Sequence, residues 1–214
     1  MIRTALPLTG VIALSGLSVV QQRAIQVARQ DALTGLATRR YWTTRAGRAI
    51  RKPRNLAVVL IDGDGLRRVN NSRGHDAGDA VLVTIAHRLK SWTDRRGMAG
   101  RLGGDEFAAF IRIAPDQRLV DELDTLNSTL SAPAEYRRSM LPAGASIGAA
   151  LVAALPAPTL YQALRAADLA MYQAKRAGGG TWNLAGHIDE PFPIDRAPIQ
   201  RTRHHGSGAT SILK

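Results

Sequence analysis

Two rhythms of hydrophobic and polar positions mark out the middle of the chain. Leu56 to Ile61 is an unbroken apolar run, the pattern of a strand buried on both faces. Ala77 to Trp92 instead sets Val81, Leu82, Ile85, Ala86 and Leu89 at helical spacing. Met98 to Leu102 and Glu106 to Arg112 are apolar segments on either side of Gly103-Gly104-Asp105, which predicts a β-hairpin with a tight turn. Asp116 to Leu130 reads as an amphipathic helix facing away from the chemistry, and Gly144 to Leu155 contains a strand over Ser146-Ile147-Gly148. Thr159 to Ala177 is a helix burying Leu160, Leu164, Ala167 and Met171, and Thr181 to Leu184 adds an edge strand. Upstream, Arg39 to Arg51 is helical, with Tyr41, Trp42, Ala46 and Ile50 inward and its arginines on a solvated outer face. No internal repeat is visible.

The acids fall where strands end. Asp62 closes the first apolar strand, within Ile61-Asp62-Gly63-Asp64-Gly65, and Asp105 and Glu106 sit in the hairpin turn. A Gly-Gly-Asp turn alone is usually structural, but two acid-bearing strand ends suggest one shared cation site at the edge where open α/β sheets bind ligands. The chain has no cysteine, so thiolate sites and disulfides are excluded and a hard cation such as magnesium fits best. The loop Gly63-Asp64-Gly65-Leu66-Arg67 offers backbone amides that can cradle phosphates.

Four stretches in fixed order resemble the GGDEF family, the diguanylate cyclases. They are Asp31-Ala32-Leu33-Thr34-Gly35-Leu36, Asp62 through Asp79, Arg101-Leu102-Gly103-Gly104-Asp105-Glu106-Phe107, and Ala167-Asp168-Leu169-Ala170-Met171-Tyr172-Gln173-Ala174-Lys175. The resemblance covers about residues 31–185. It implies an α/β (α+β) fold with a ferredoxin-like, nucleotide-cyclase palm core: a split βαβ arrangement with a central, mainly antiparallel sheet flanked by helices. It also implies condensation of two GTP into cyclic di-GMP across a homodimer, with Mg²⁺, or Mn²⁺ in its place, as cofactor. Carried over residue by residue, Asp62, the Gly63 carbonyl, Asp105 and Glu106 would hold the metal. Asp105, Glu106 and Arg101 would serve catalysis, Glu106 either as ligand or as base near the ribose hydroxyl. Leu66, Arg67, Gly103, Gly104 and Lys175 would contact the substrate phosphates, while Asn70 and Asp79 would read the guanine edge. Taken alone, Asn70 is a loop asparagine and Asp79 a helix-capping aspartate.

Several positions depart from the family pattern. Asp94-Arg95-Arg96-Gly97 stands where an Arg-x-x-Asp product-inhibition motif is usual, so feedback through that site is not expected. Gly178-Gly179-Gly180 replaces Gly-Arg-Asn, removing a phosphate-binding arginine at Gly179. Arg67 stands in for lysine and Asn71 for aspartate.

Composition changes the picture mainly at the ends. The 214-residue chain is 45% hydrophobic, enough for one domain with a buried core and extra segments. Its net charge is +12. Residues 1–54 carry ten basic side chains against Asp31 alone, or +9, leaving +2 for 55–186 and +1 for the tail. A nucleic-acid partner is therefore not expected of the domain, and an adaptor role for a basic surface would rest on residues 1–54. Ala5 to Val20 is an uncharged run of sixteen residues, about 24 Å long as a helix against a hydrocarbon core of about 30 Å. It reads as a membrane anchor, a helix packed on the domain or a partner, or a cleaved signal, and Gln21 to Gln30 as a short helix continuing from it. Arg23, Arg29, Arg39 and Arg40 follow the run and only Arg3 precedes it, which places the catalytic domain in the cytoplasm if the run anchors it to the cell membrane. The tail from 186, rich in proline and Gly-Ser-Gly, reads as disordered. The alternative to a working cyclase is a degenerate GGDEF domain that binds GTP or cyclic di-GMP and acts through a partner.

Overall fold

The computed structural model describes residues 29–51, 55–115 and 117–186. The apolar run 5–20, most of the helix read over 21–30 and the tail from 187 lie outside the described residues. Among those described, no helix is long and apolar enough to cross a membrane.

The elements are β1 (Ala37–Thr38), α1 (Arg39–Ala49), β2 (Leu56–Gly63), α2 (Leu66–Arg73), α3 (His75–Thr93), β3 (Gly97–Gly103), β4 (Glu106–Arg112), α4 (Leu119–Ser131), β5 (Ala134–Tyr136), β6 (Ser139–Leu141), β7 (Ala145–Leu151), α5 (Leu160–Arg176) and β8 (Trp182–Leu184). One six-stranded sheet runs β1-β3-β4-β2-β7-β8, and β5 with β6 forms a separate hairpin. The four long strands are antiparallel to their neighbours, while β1 and β8 join parallel at the two edges. Strand, helices, hairpin, helix and strand thus follow the expected split βαβ plan.

The apolar run of β2 lies at the sheet's centre, and all eight residues are buried. Because strand side chains alternate in direction, the run feeds two cores at once. Ala57, Val59 and Ile61 join Phe107, Ile111, Val81, Ile85, Leu89, Leu123 and Leu126 on the face covered by α3 and α4. Leu56, Val58 and Leu60 join Trp42, Ala46, Phe110, Ala163, Ala166 and Ala167 on the face covered by α1 and α5.

Three features differ from the sequence-based expectations. Helix α2 begins at Leu66, so the amide loop is shorter than read; its only buried residue is Val69, and an octet that polar shows no apolar period. The β5–β6 hairpin also has no legible pattern, since each strand is three residues long. The buried stripe of α5 is Ala163, Ala166, Ala167, Ala170 and Ala174 rather than the larger residues, with Leu160, Leu164 and Met171 only partly buried at its margin.

That alanine stripe lets α5 lie against the sheet backbone at Gly148. A Cβ added to Gly148 would sit 2.0 Å from the Ala167 carbonyl oxygen and 2.2 Å from the Met171 nitrogen. Gly148 pairs with Leu60, and Ser146 with Asp62. From Met171 to Lys175 the helix advances about 6 Å, close to the roughly 6.6 Å between Gly148 and Ser146 along the strand. This contact therefore sets Lys175 level with Asp62. Gly148→Ala is expected to lower stability by about 2–3 kcal/mol through overpacking against helix backbone, measured from urea unfolding midpoints; a midpoint equal to the wild type would contradict the close approach.

Candidate active site

The site is assembled by the pairing of β2 with β4. Asp62 lies opposite Glu106 in the register, and the Gly63 N–H donates to the Asp105 carbonyl oxygen at 2.9 Å. Acids more than forty positions apart in sequence are thereby held at adjoining strand ends. Asp62 is only 7% exposed. Burial pushes its carboxyl above the usual carboxylate range and the nearby Asp105 and Glu106 charges push the same way, while Lys175 opposes them. The Lys175 ammonium lies 2.6 Å from Asp62 Oδ2.

The hairpin turn is fixed by two arginines. Gly104 takes φ +53°, a left-handed conformation suited to glycine. Arg101 Nε and Nη2 donate to the Gly104 carbonyl at 2.9 and 2.7 Å, and Arg101 Nη1 reaches Asp31 Oδ1 at 3.1 Å. Asp31 also accepts from the Thr34 amide and hydroxyl at 2.9 and 2.7 Å. Burial works against its charge, but these Thr34 bonds and Arg101 outweigh it and hold its carboxyl below the usual range. Arg39, the first residue of α1, donates through Nε to the Leu102 carbonyl at 2.7 Å and places Nη2 3.5 Å from Glu106 Oε2.

Beyond the acids, Asp64 accepts from the Ser146 hydroxyl at 2.9 Å and from the Gly180 N–H at 2.7 Å. It thereby ties the glycine turn after α5 to the end of β2. Gly179 in that turn takes φ +76°, and an added Cβ would stand 2.9 Å from Asp64 Oδ2, so a side chain there would be strained and would have to displace Asp64. Leu66 and Arg67 open α2, Leu66 half-buried and Arg67 exposed. Asn70 turns onto α3: its Oδ1 is buried without a donor among the described residues and lies 1.8 Å from where a Gly78 Cβ would be. Asp79, the residue after Gly78, is exposed. The amide and carboxylate expected at the guanine edge thus come from facing helices.

All the residues read as site residues lie on the strand ends, the hairpin and the helices beside them, and three have partners within the chain. Arg101 is committed to Asp31 and the turn rather than directed across the hairpin, Lys175 engages Asp62, and Glu106 faces Arg39. Asp31, Arg39, Asp64 and Ser146 carry the scaffolding and were not read as site residues. Asp64 had a signal, standing two places beyond Asp62 in the same acidic cluster; Arg39 had none, since one arginine among several on a helix reads as solvated.

Among the described residues no group of three or more acids and histidines is gathered into a ready-made metal cluster. The donor set nevertheless suits a hard divalent cation. Asp62, Asp105 and the Gly63 carbonyl are oxygen donors, and a stand-in cation, the Lys175 ammonium, already rests against Asp62.

The family model described as the diguanylate cyclase GGDEF domain matches residues 28–181. The chain belongs to the GGDEF domain family. An uncharacterized 19.3 kDa protein in the repSA 5′ region of Streptomyces ambofaciens is 51% identical over 80% of this chain and 90% of its own length. The diguanylate cyclase TpbB of Pseudomonas aeruginosa is 37% identical over 77% of this chain, which spans 39% of that protein. The solved structure of TpbB comprising only the GGDEF domain superposes with a TM-score of 0.68 at 36% identity, covering 75% of this chain and 96% of that one. At Gly97, the last position of the Arg-x-x-Asp motif, an added Cβ would lie 1.7 Å from the Phe110 carbonyl oxygen, so an aspartate there would collide with the neighbouring strand.

The Asp31–Arg101 pair joins the leading turn to the hairpin. Because the folded-state pKa of Asp31 is depressed, its stabilisation is present above the unfolded pKa and lost as pH falls through the folded value. A double-mutant cycle with Asp31→Asn and Arg101→Gln is expected to give a coupling of about 0.5–1 kcal/mol at neutral pH and none in acid; equal coupling at both would contradict the pairing.

Proposed function

We propose that this GGDEF domain, residues 31–185, is a diguanylate cyclase that condenses two GTP into cyclic di-GMP and releases two pyrophosphates. The observation that carries the reading is the convergence of Asp62, Asp105 and Glu106 at adjoining strand ends, beside the amides that open α2 and the Lys175 ammonium.

In this reading the 3′-hydroxyl of one GTP attacks the α-phosphorus of the other, a new P–O bond forms and pyrophosphate leaves. The amides at the start of α2, with Arg67 and Lys175, bind the phosphates, and Gly104 allows the turn to approach them. Asn70 brings an unused acceptor and Asp79 a carboxylate to the guanine edge, where N1–H and N2–H are donors. Glu106, steadied by Arg39, accepts the proton of the attacking hydroxyl. Asp62, Asp105 and the Gly63 carbonyl would hold Mg²⁺ or Mn²⁺, whose chemistry when bound is to neutralise charge on the α-phosphate and the leaving pyrophosphate. Arg101 acts through the hairpin it holds. Each domain binds one GTP, so two copies face each other as a homodimer. GTP as substrate places the domain in the cytoplasm, with residues 5–20 available to anchor it to the inner face of the membrane.

Gly179 supports a second reading, a binding module without turnover, since no arginine stands there to hold phosphate. Incubating the full chain with GTP and Mg²⁺ and separating the nucleotides decides between them. Cyclic di-GMP is expected, reduced at least about 100-fold in Asp105→Ala with an unchanged circular dichroism spectrum. Measurable GTP binding without product, at concentrations that permit dimers, would overturn the cyclase reading in favour of the binding module.

A further inference from the structure

We infer that Lys175 is a built-in substitute for the divalent cation: in the free protein its ammonium occupies the cation's place against Asp62, and cation binding releases it toward the substrate triphosphate. The inference rests on the reading that a divalent cation binds at Asp62.

Three observations support it. Lys175 Nζ lies 2.6 Å from Asp62 Oδ2, a direct contact. The Asp62 side chain is 10% exposed and that of Lys175 34%, so the carboxylate is buried while the lysine side chain is one-third open to solvent. The contact is also imposed by the fold, because the approach of α5 at Gly148 sets Lys175 level with Asp62. A carboxylate so buried, beside Asp105 and Glu106, needs a cation to offset its lost hydration. While it is spent on Asp62 at this distance, the ammonium's charge is offset by the carboxylate and its pull on a phosphate is weakened. A divalent cation on Asp62 frees the lysine for the triphosphate, and a triphosphate that engages the lysine exposes Asp62 to the cation. Each ligand therefore favours the other, and the coupling is reciprocal.

Removing the ammonium should thus help the cation while hurting the triphosphate. The test is titration of the full chain with Mn²⁺ alone, free Mn²⁺ being read by electron paramagnetic resonance. Lys175→Met is expected to bind Mn²⁺ about tenfold more tightly than the wild type, with the gain abolished by adding Asp62→Asn. Arg176→Met, which removes an exposed charge of the same sign from the same helix, should give little gain. Affinity unchanged in Lys175→Met, or an equal gain in Arg176→Met, would overturn the inference. If Lys175→Met folds poorly, the wild type carries the test: Mg²⁺ should raise reductive methylation of Lys175 relative to Lys90, read by mass spectrometry, and equal labelling with and without Mg²⁺ would overturn it. The readout is independent of turnover. A tighter Mn²⁺ site in a chain that makes no cyclic di-GMP would refute the cyclase reading alone, whereas product formation without the Mn²⁺ gain would refute the lysine's role alone.

Discussion

The candidate site depends on one register, the pairing of β2 with β4 that sets Asp62 opposite Glu106. Side chains alternate along a strand, so a slip of one residue would send Asp62 to the opposite face and Ile61 into its place. The register is enforced from both sides of the sheet. Ala57, Val59 and Ile61 are locked among the side chains of α3 and α4, and Leu56, Val58 and Leu60 among those of α1 and α5. A central strand buried on both faces has no low-cost alternative pairing, which is how a buried, charge-crowded aspartate can be maintained at its end.

Around that centre the polar contacts form struts between elements. Arg101 joins the hairpin to the leading turn through Asp31, Arg39 joins α1 to the hairpin and Glu106, Asp64 joins β2 to the glycine turn after α5, and Lys175 joins α5 to β2. The side chains of Asp62, Asp64 and Glu106 are thus each tied to another part of the fold.

Much of this was legible in the sequence where pattern and chemistry coincide. The apolar run over 56–61, the helical spacing over 77–92 and the glycine turn each report a single local preference, and the structure bears them out. Helix α2 was not legible because Val69 is its only buried residue and the rest of the octet is polar or half-buried, leaving no periodic face. The partners of Arg101, Lys175 and Arg39 were illegible for another reason: each contact spans distant segments, and a basic residue reads the same whether it meets phosphate, solvent or a buried carboxylate. Gly179 shows the reverse case. In the sequence it is a missing arginine; in the fold it is a position whose positive φ and contact with the Asp64 side chain would strain any larger residue.

The most direct measurement of the central claim is the anomalous scattering of Mn²⁺ in crystals of the full chain grown with a non-hydrolysable GTP analogue. The account predicts a peak between Asp62, Asp105 and the Gly63 carbonyl, with the triphosphate over the start of α2 and Lys175 withdrawn from Asp62. A triphosphate bound elsewhere, or no metal at these strand ends while Lys175 stays against Asp62, would contradict it.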